Sequence, residues 1–237
     1  MSTVTSRESA TITFNPSAAG QPFILGAARL SLAASALFLV LLAALHIVKP
    51  ELDPSWRMVS EYEVGRYGWM MSLAFLSLVV SCVAVCIAIR PAVQTIGGYV
   101  GLAFLLATAV GMAIAAIFIA DPITASKDAL TTHGTLHGLG AFVGLPSMPI
   151  AATLISRSLA RNRTWSSTRR VLFVTAGLTW ISLVALGLSV AIMLPQHSGS
   201  FGPDVLIGWQ NRFIVVANSG WLIAVALHAA RLSRQSA

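Results

Sequence analysis

The sequence predicts an all-α, polytopic membrane protein with six transmembrane helices in one bundle. Of its 237 residues, 56% are hydrophobic and only 10% are charged, and the mean hydropathy is +0.80. This composition is too apolar for a soluble domain of this length. The chain also contains six long apolar runs, and a bilayer core of roughly 30 Å requires about 20 apolar residues per helix. The runs are rich in Leu and Ala and do not alternate, which favours helices over strands.

The elements follow in order from the amino terminus. Residues 1–22 are polar and rich in Ser, Thr and Ala, which predicts a disordered cytoplasmic tail. No signal-peptide pattern precedes the first span, so we expect that span to be retained. The transmembrane domain is expected over 23–233, followed by a short cytoplasmic tail over 234–237. The predicted spans are about 24–48, 69–89, 97–120, 133–159, 171–194 and 213–232.

Small residues and prolines give the third and fourth spans their expected character. Both spans contain glycines at four-residue spacing, which predicts close packing of helix backbones in lipid. Pro146 and Pro149 predict a bend near the middle of the fourth span, and such a bend can open a cavity.

The basic residues predict the orientation. With six spans, ten basic residues lie on the side of the two termini and five on the other. The positive-inside rule therefore predicts a multi-pass protein of the cytoplasmic membrane with both termini in the cytoplasm. The pI near 10.5 comes largely from arginines between Arg157 and Arg170, and we interpret them as topology determinants that do not indicate nucleic-acid binding.

The first outer loop and its flanks, residues 46–69, contain half of the acidic residues of the chain. Ser60 is expected to cap the second helix, with Glu63 completing a capping box. Glu61 has no structural role that the sequence reveals, so it is the acid most suspected of function, and Ser60 joins it as a candidate catalytic residue. Three further residues of this loop are assigned to the outer polar site, namely Glu51, Tyr62 and Arg66.

A second group of candidates lies at similar depth at the outer ends of the spans. His133 and His137 are four residues apart, the spacing by which one helix supplies two imidazoles to one metal ion. With His46 and Asp121 they would suit Zn²⁺ with an open position for water. The alternative is that the histidine pair serves interhelical hydrogen bonding. Asp121 follows the end of its helix, where the dipole disfavours a negative charge, so we expect it to have a basic, histidine or cation partner. Arg212, which begins the sixth span, is expected to pair with an outer carboxylate or to act as an interfacial anchor.

Several motifs together resemble the domain-of-unknown-function 998 family of prokaryotic integral membrane proteins. They are HIVKPELDPSWRMVSEYEVGRYGWMM, then IADP, THGTLHGLGAF and GWQNR. The resemblance covers nearly the whole chain and implies a bundle of about six spans without an established activity. The residues that match the family motifs are His46, Pro50, Glu51, Ser60, Glu61, Tyr62, Gly65, Gly68, Asp121, His137 and Arg212.

Two weaker likenesses suggest activities. The outer serine, aspartate and histidine pair is similar to the membrane hydrolases that include alkaline ceramidases and the progestin/adiponectin receptors, where such residues bind zinc. In that superfamily the pair lies in the last of seven spans, whereas here it begins the fourth of six. The layout also resembles the Frag/DRAM/Sfk membrane proteins, which are associated with lipid handling.

The leading hypothesis from the sequence is an outward-facing site acting on a lipid or small amphiphile. If the protein is an enzyme, metal-bound water would hydrolyse the substrate, with Glu61 as general base. The alternatives are a non-catalytic binder or transporter of a lipid or small solute, in which the charges form an ion-paired gate, and a membrane scaffold for a protein partner that the sequence does not name.

Overall fold

The computed structural model describes residues 21–235, except for the side chain of Lys127. Within that range it contains six long helices and no strand. All six helices are long and apolar enough to cross a membrane, so the predicted six-helix, all-α membrane bundle is confirmed. The predicted tails lie outside the described residues, apart from Gln21, Pro22, Arg234 and Gln235. The helices are α1 (Gln21–Val48), α2 (Gly68–Ile89), α3 (Ile96–Ile117), α4 (Thr132–Leu159), α5 (Arg169–Gln196) and α6 (Gly208–Gln235).

The helices pack in chain order around a closed ring. Each helix contacts the next, and α6 returns to contact α1 and α2. The contact between α3 and α4 is the most extensive. Here Gly111 lies so close to Gly140 and Gly144 that a Cβ at Gly111 would meet backbone atoms of both residues. Glycines therefore let these two backbones approach, as small residues do in membrane helix pairs.

Three loops meet at one end of the bundle. We call them loop 1 (residues 49–67), loop 3 (118–131) and loop 5 (197–207), and we call this end the loop 1 end. Loop 1 contains a short 3-10 helix, Val59–Glu63. Gly208, just after loop 5, donates its amide N–H to the carbonyl of Ser55 in loop 1 at 2.9 Å. The opposite end carries the arginines of the two short connections and of the helix termini beside them, and we call it the arginine end.

Helix boundaries depart from the predicted spans where polar residues continue a helix or apolar residues leave it. α6 begins at Gly208, five residues before the predicted start at 213, and α3 ends at Ile117, three residues before the predicted end at 120. The predicted capping box is wrong. Ser60 and Glu63 both lie inside the 3-10 helix, and α2 begins only at Gly68, after a residue in the left-handed conformation.

Candidate functional site

Arg212 lies at the centre of the loop 1 end and is only 5% exposed. Its Nε donates to Nε2 of His46 at 2.7 Å, and its Nη2 donates to the hydroxyl of Tyr62 at 3.1 Å. Its Nη1 donates to the carbonyls of Arg57 at 2.7 Å and of Gly208 at 3.1 Å. One buried guanidinium therefore joins α1, loop 1 and α6. The expected carboxylate partner of Arg212 is replaced, among the described residues, by neutral acceptors.

His46 has both ring nitrogens engaged. Nδ1 donates to the carbonyl of Leu42 at 2.7 Å, and Nε2 accepts from Arg212. This pattern requires the neutral tautomer with its proton on Nδ1. The ring also lies against Tyr62, with centroids 5.2 Å apart. To bind a metal ion, His46 would have to give up the hydrogen bond from Arg212.

Lys49 holds the carboxyl end of the short helix in loop 1. It is buried, and its Nζ donates to the carbonyls of Tyr62 at 3.2 Å and Val64 at 2.6 Å. Burial lowers the pKa of the Lys49 amine, while the negative charges of Glu51 and Glu61 oppose that shift. This cation therefore has a structural role in fixing the loop.

Glu61, the acid most suspected of function, is 2% exposed and has a structural role. Its Oε1 accepts from Nη1 of Arg57 at 2.7 Å and from the amide of Ile123 at 3.1 Å. Its Oε2 accepts from the amide of Met58 at 3.1 Å. Glu61 thus stabilises the start of the 3-10 helix and binds loop 1 to loop 3. Both carboxylate oxygens are held by fixed donors, which is unfavourable for a general base.

His137 is 6% exposed and lies against a buried glutamate. Its Nδ1 is 2.9 Å from the carbonyl of Phe118 and 3.2 Å from that of Ala115. It is also 3.2 Å from Oε2 of Glu63. All three neighbours are acceptors, so Nδ1 must carry a proton. Nε2 of His137 has no hydrogen-bond partner among the described residues.

Glu63 is 3% exposed and completes this pair. Besides His137, its carboxylate accepts from the hydroxyl of Ser72 at 3.3 Å and from the amide of Ala120 at 3.4 Å. Glu63 therefore joins loop 1, α2, the start of loop 3 and α4. The sequence predicts only a capping-box role for Glu63, because no spacing in the sequence relates it to His137.

Asp121 binds the amino terminus of the next helix. Its two oxygens accept from the amide and the hydroxyl of Thr131, each at 2.8 Å. A Cβ at Gly134 would overlap its carboxylate, so the glycine makes room for the acid. The expected basic or histidine partner is replaced, among the described side chains, by Thr131. The amino-terminal dipole of α4 favours the negative charge there.

The remaining predicted residues lie apart from one another. His133 is exposed, and its ring packs edge-on against Phe118 with centroids 5.4 Å apart. Glu51 and Arg66 are exposed at the surface of loop 1, and Ser60 is half-buried. The four predicted metal ligands, His46, Asp121, His133 and His137, are therefore held in separate contacts. Within residues 21–235, no three histidine, cysteine or carboxylate side chains are grouped so that they could hold one metal ion.

A cavity of about 980 Å³ opens beside His137 at the loop 1 end. Residues of loops 1, 3 and 5 and of all helices except α1 line it. Its polar lining lies at the loop 1 end and includes Ser60, Asp121, His137 and Asn211. Apolar residues of the loops, such as Val59, Ile123 and Phe201, lie beside these polar groups. The deeper lining between the helices is apolar and includes Phe75, Met112, Leu145, Leu186, Val190 and Val215. The cavity is thus amphipathic along the bundle axis and large enough for a small amphiphile.

The comparisons with known proteins give one match. A model of the family described as "Protein of unknown function (DUF998)" matches residues 32–228. The match includes α2 to α5 in full, most of α1 and α6, and every candidate residue described above. No curated protein and no solved structure matches the chain. The match covers most of the chain, and the chain therefore belongs to the DUF998 family of membrane proteins.

Proposed function

We propose that this protein binds a lipid or small amphiphile in the cavity beside His137. The observation behind the proposal is the division of the cavity lining. Aliphatic and aromatic side chains line the part between the helices, and the polar side chains of the lining lie at the loop 1 end, among apolar loop residues. An amphiphile would bury its chain among the apolar residues and leave its head group near His137, which matches the two chemistries of the ligand to the two parts of the cavity.

The packing of α4 and α5 supports entry from the membrane. Their polar contacts lie toward the arginine end, where Trp180 donates to Thr153 at 2.9 Å and Ser156 donates to the carbonyl of Leu172 at 3.4 Å. Nearer the loop 1 end, Leu145 of α4 and Leu186 of α5 line the cavity instead. A chain could therefore pass from the bilayer between these two helices without crossing a hydrogen-bonded contact.

Photo-crosslinking tests the proposal. The protein is reconstituted in nanodiscs of phosphatidylcholine that contain a monoacylglycerol with a diazirine in its acyl chain. We expect labelled peptides around Leu145 and Leu186. Ala141 lines the cavity and Ala103 is exposed on the outer face of α3, so Ala141→Phe should abolish this labelling and Ala103→Phe should preserve it. Equal labelling of both variants would refute cavity binding.

A second candidate, hydrolysis of a bound ester, is favoured by one observation. Nδ1 of His137 is fixed as a donor toward Phe118, Ala115 and Glu63, which leaves Nε2 as the ring nitrogen available to a ligand or water in the cavity. Such a nitrogen is suited to accept a proton from water. This version of the hydrolase hypothesis uses His137 in place of Glu61 and needs no shared metal site.

The same nanodiscs distinguish the two candidates. Free fatty acid released from the monoacylglycerol is measured by mass spectrometry for the wild-type protein and for His137→Gln. A binder releases no fatty acid above protein-free discs. A hydrolase releases it, and His137→Gln then loses the release while its photo-labelling persists.

The cellular location belongs to the same proposal. We place the protein in the cytoplasmic membrane with the arginine end and both termini in the cytoplasm, because basic residues flank membrane helices mainly on that side. The cavity then opens toward the outside, where the loop 1 end lies.

A further inference from the structure

The charge of the cavity lining indicates which head group the cavity prefers. Asp121 has the one formal charge among the described side chains of the lining, apart from any proton on His137. Asn211 accepts from the amide of Val59 through its Oδ1 at 2.8 Å, which leaves its NH₂ group for other contacts. No described lysine or arginine side chain lines the cavity. An anionic head group would therefore meet a negative charge without a described cation to offset it.

Asp121 retains acceptor capacity despite its structural contacts. Each carboxylate oxygen accepts one hydrogen bond from Thr131, and a carboxylate oxygen has two lone pairs. Asp121 is half-buried and lines the cavity, so the unused lone pairs are accessible to a ligand. Because α4 begins at Thr132, the positive end of its dipole lies beside this carboxylate.

His137 lies on the same face of α4 as the carboxylate of Asp121. That carboxylate lies against Gly134, and His137 follows Gly134 by three residues, a spacing that places both on one face of the helix. Nδ1 of His137 is 3.2 Å from the buried carboxylate of Glu63. A protonated His137 is therefore balanced by Glu63, and a neutral His137 adds no positive charge, so the negative charge of Asp121 stays uncompensated.

We infer that the cavity selects amphiphiles whose head group is a protonated amine, held by the carboxylate of Asp121, over amphiphiles with a carboxylate head group. This inference rests on the proposed function, since it names the ligand class of the same cavity. The alkyl chain lies among Leu145, Leu186 and the other apolar lining residues. Ser60, whose hydroxyl has no described partner, is placed to contact substituents on the head group.

Competition against the photo-reactive monoacylglycerol in phosphatidylcholine nanodiscs tests the selection. The competitors are dodecylamine, dodecanol and dodecanoate, which share one chain length, compared at equal mole fraction in the bilayer. We expect dodecylamine to compete at about one tenth of the mole fraction that dodecanol needs, and dodecanoate to be weaker than dodecanol. In Asp121→Asn the amine and the alcohol should compete almost equally. Asp204→Asn, which removes an exposed acid of loop 5 outside the lining, should keep the wild-type order.

The outcomes separate this inference from the proposed function. If dodecanoate competes as well as dodecylamine with the wild-type protein, the selection is refuted while cavity binding stands. If no competitor displaces the probe, both are refuted. Unchanged competition by dodecanol shows that Asp121→Asn is folded. If Asp121→Asn loses all binding of the probe, the order of the three competitors with the wild-type protein decides whether the cavity selects amines.

Discussion

Replacing Arg212 by Met is expected to loosen the whole loop 1 end. The guanidinium makes three hydrogen bonds outside its own helix, to Nε2 of His46, the carbonyl of Arg57 and the hydroxyl of Tyr62. Methionine fills similar space but has no donor. The three acceptors would then be left without their partner in a buried position, and loop 1 would lose its direct link to α6 through this side chain.

The magnitude follows from the number of bonds. A buried hydrogen bond contributes about 1 kcal/mol net, and more where one partner is charged, although removing the buried cation also removes its desolvation cost. Three bonds therefore correspond to a loss of about 3 kcal/mol. For a chain of this length, 1 kcal/mol shifts the melting temperature by roughly 2–4 °C, so Arg212→Met should melt about 6–12 °C lower.

Thermal unfolding in detergent, followed by tryptophan fluorescence, measures this shift. The matched control is Arg66→Met, because Arg66 is an exposed arginine of loop 1 that contacts the ring of Tyr67 at 4.7 Å. That substitution should change stability by no more than about 0.5 kcal/mol. Arg212→Lys should fall between the two, since an ammonium cannot reproduce the planar fork of donors. A melting temperature of Arg212→Met within about 2 °C of the wild type would show that the cluster does not stabilise the loop.

Three further predictions concern packing, loop contacts and orientation. Gly111→Ala should lower the free energy of unfolding by about 1–3 kcal/mol in the same melting assay, because the new Cβ meets the backbone of α4. The control Gly177→Ala should not lower the melting temperature, because its Cβ meets nothing within 4 Å. Glu61→Gln should speed amide hydrogen exchange at Ile123, because the ion pair that fixes this acceptor is lost, and unchanged exchange would contradict the structural role. The orientation can be tested in a variant that lacks the two native cysteines. On intact cells, an impermeant maleimide should label Asp204→Cys at the loop 1 end and should not label Asn162→Cys at the arginine end. The reverse labelling pattern would show that the orientation is opposite to the one proposed.

The fold was predictable because the information that determines it is local. A run such as Ile24 to Val48 is long enough to cross a bilayer whatever surrounds it, so counting apolar residues finds the helix. The glycine spacing in α3 and α4 similarly indicated the contact at Gly111, since small residues at helical spacing have few other roles in lipid. The predicted start of α6 is too late because Trp209 to Arg212 are amphipathic or polar. They nevertheless continue the helix, whose first residue Gly208 is bonded to loop 1 and whose Arg212 is buried.

The site was less predictable because its contacts join distant parts of the chain. Shared depth predicts a metal site for His46 and Asp121, but depth does not specify the partner of either side chain. His46 contacts Arg212 from α6, and Asp121 contacts Thr131 at the next helix start. Neither partner can be inferred from spacing, because each depends on the order of helices around the ring.

The type of helix formed in loop 1 determines the roles of Glu61 and Glu63. An α-helical capping box beginning at Ser60 would have made Glu63 the cap and left Glu61 available. The chain instead forms a 3-10 helix that begins at Val59, so Glu61 reaches back to the amide of Met58 and Glu63 is turned toward His137. Because these residues are two apart, a change in the local helix type decides which carboxylate stabilises the loop and which one contacts the histidine of the cavity. The difference is testable with matched variants. Glu61→Gln should lower the melting temperature and leave probe labelling near the wild-type level. Glu63→Gln alters the partner of His137, so it should change the labelling more than Glu61→Gln does.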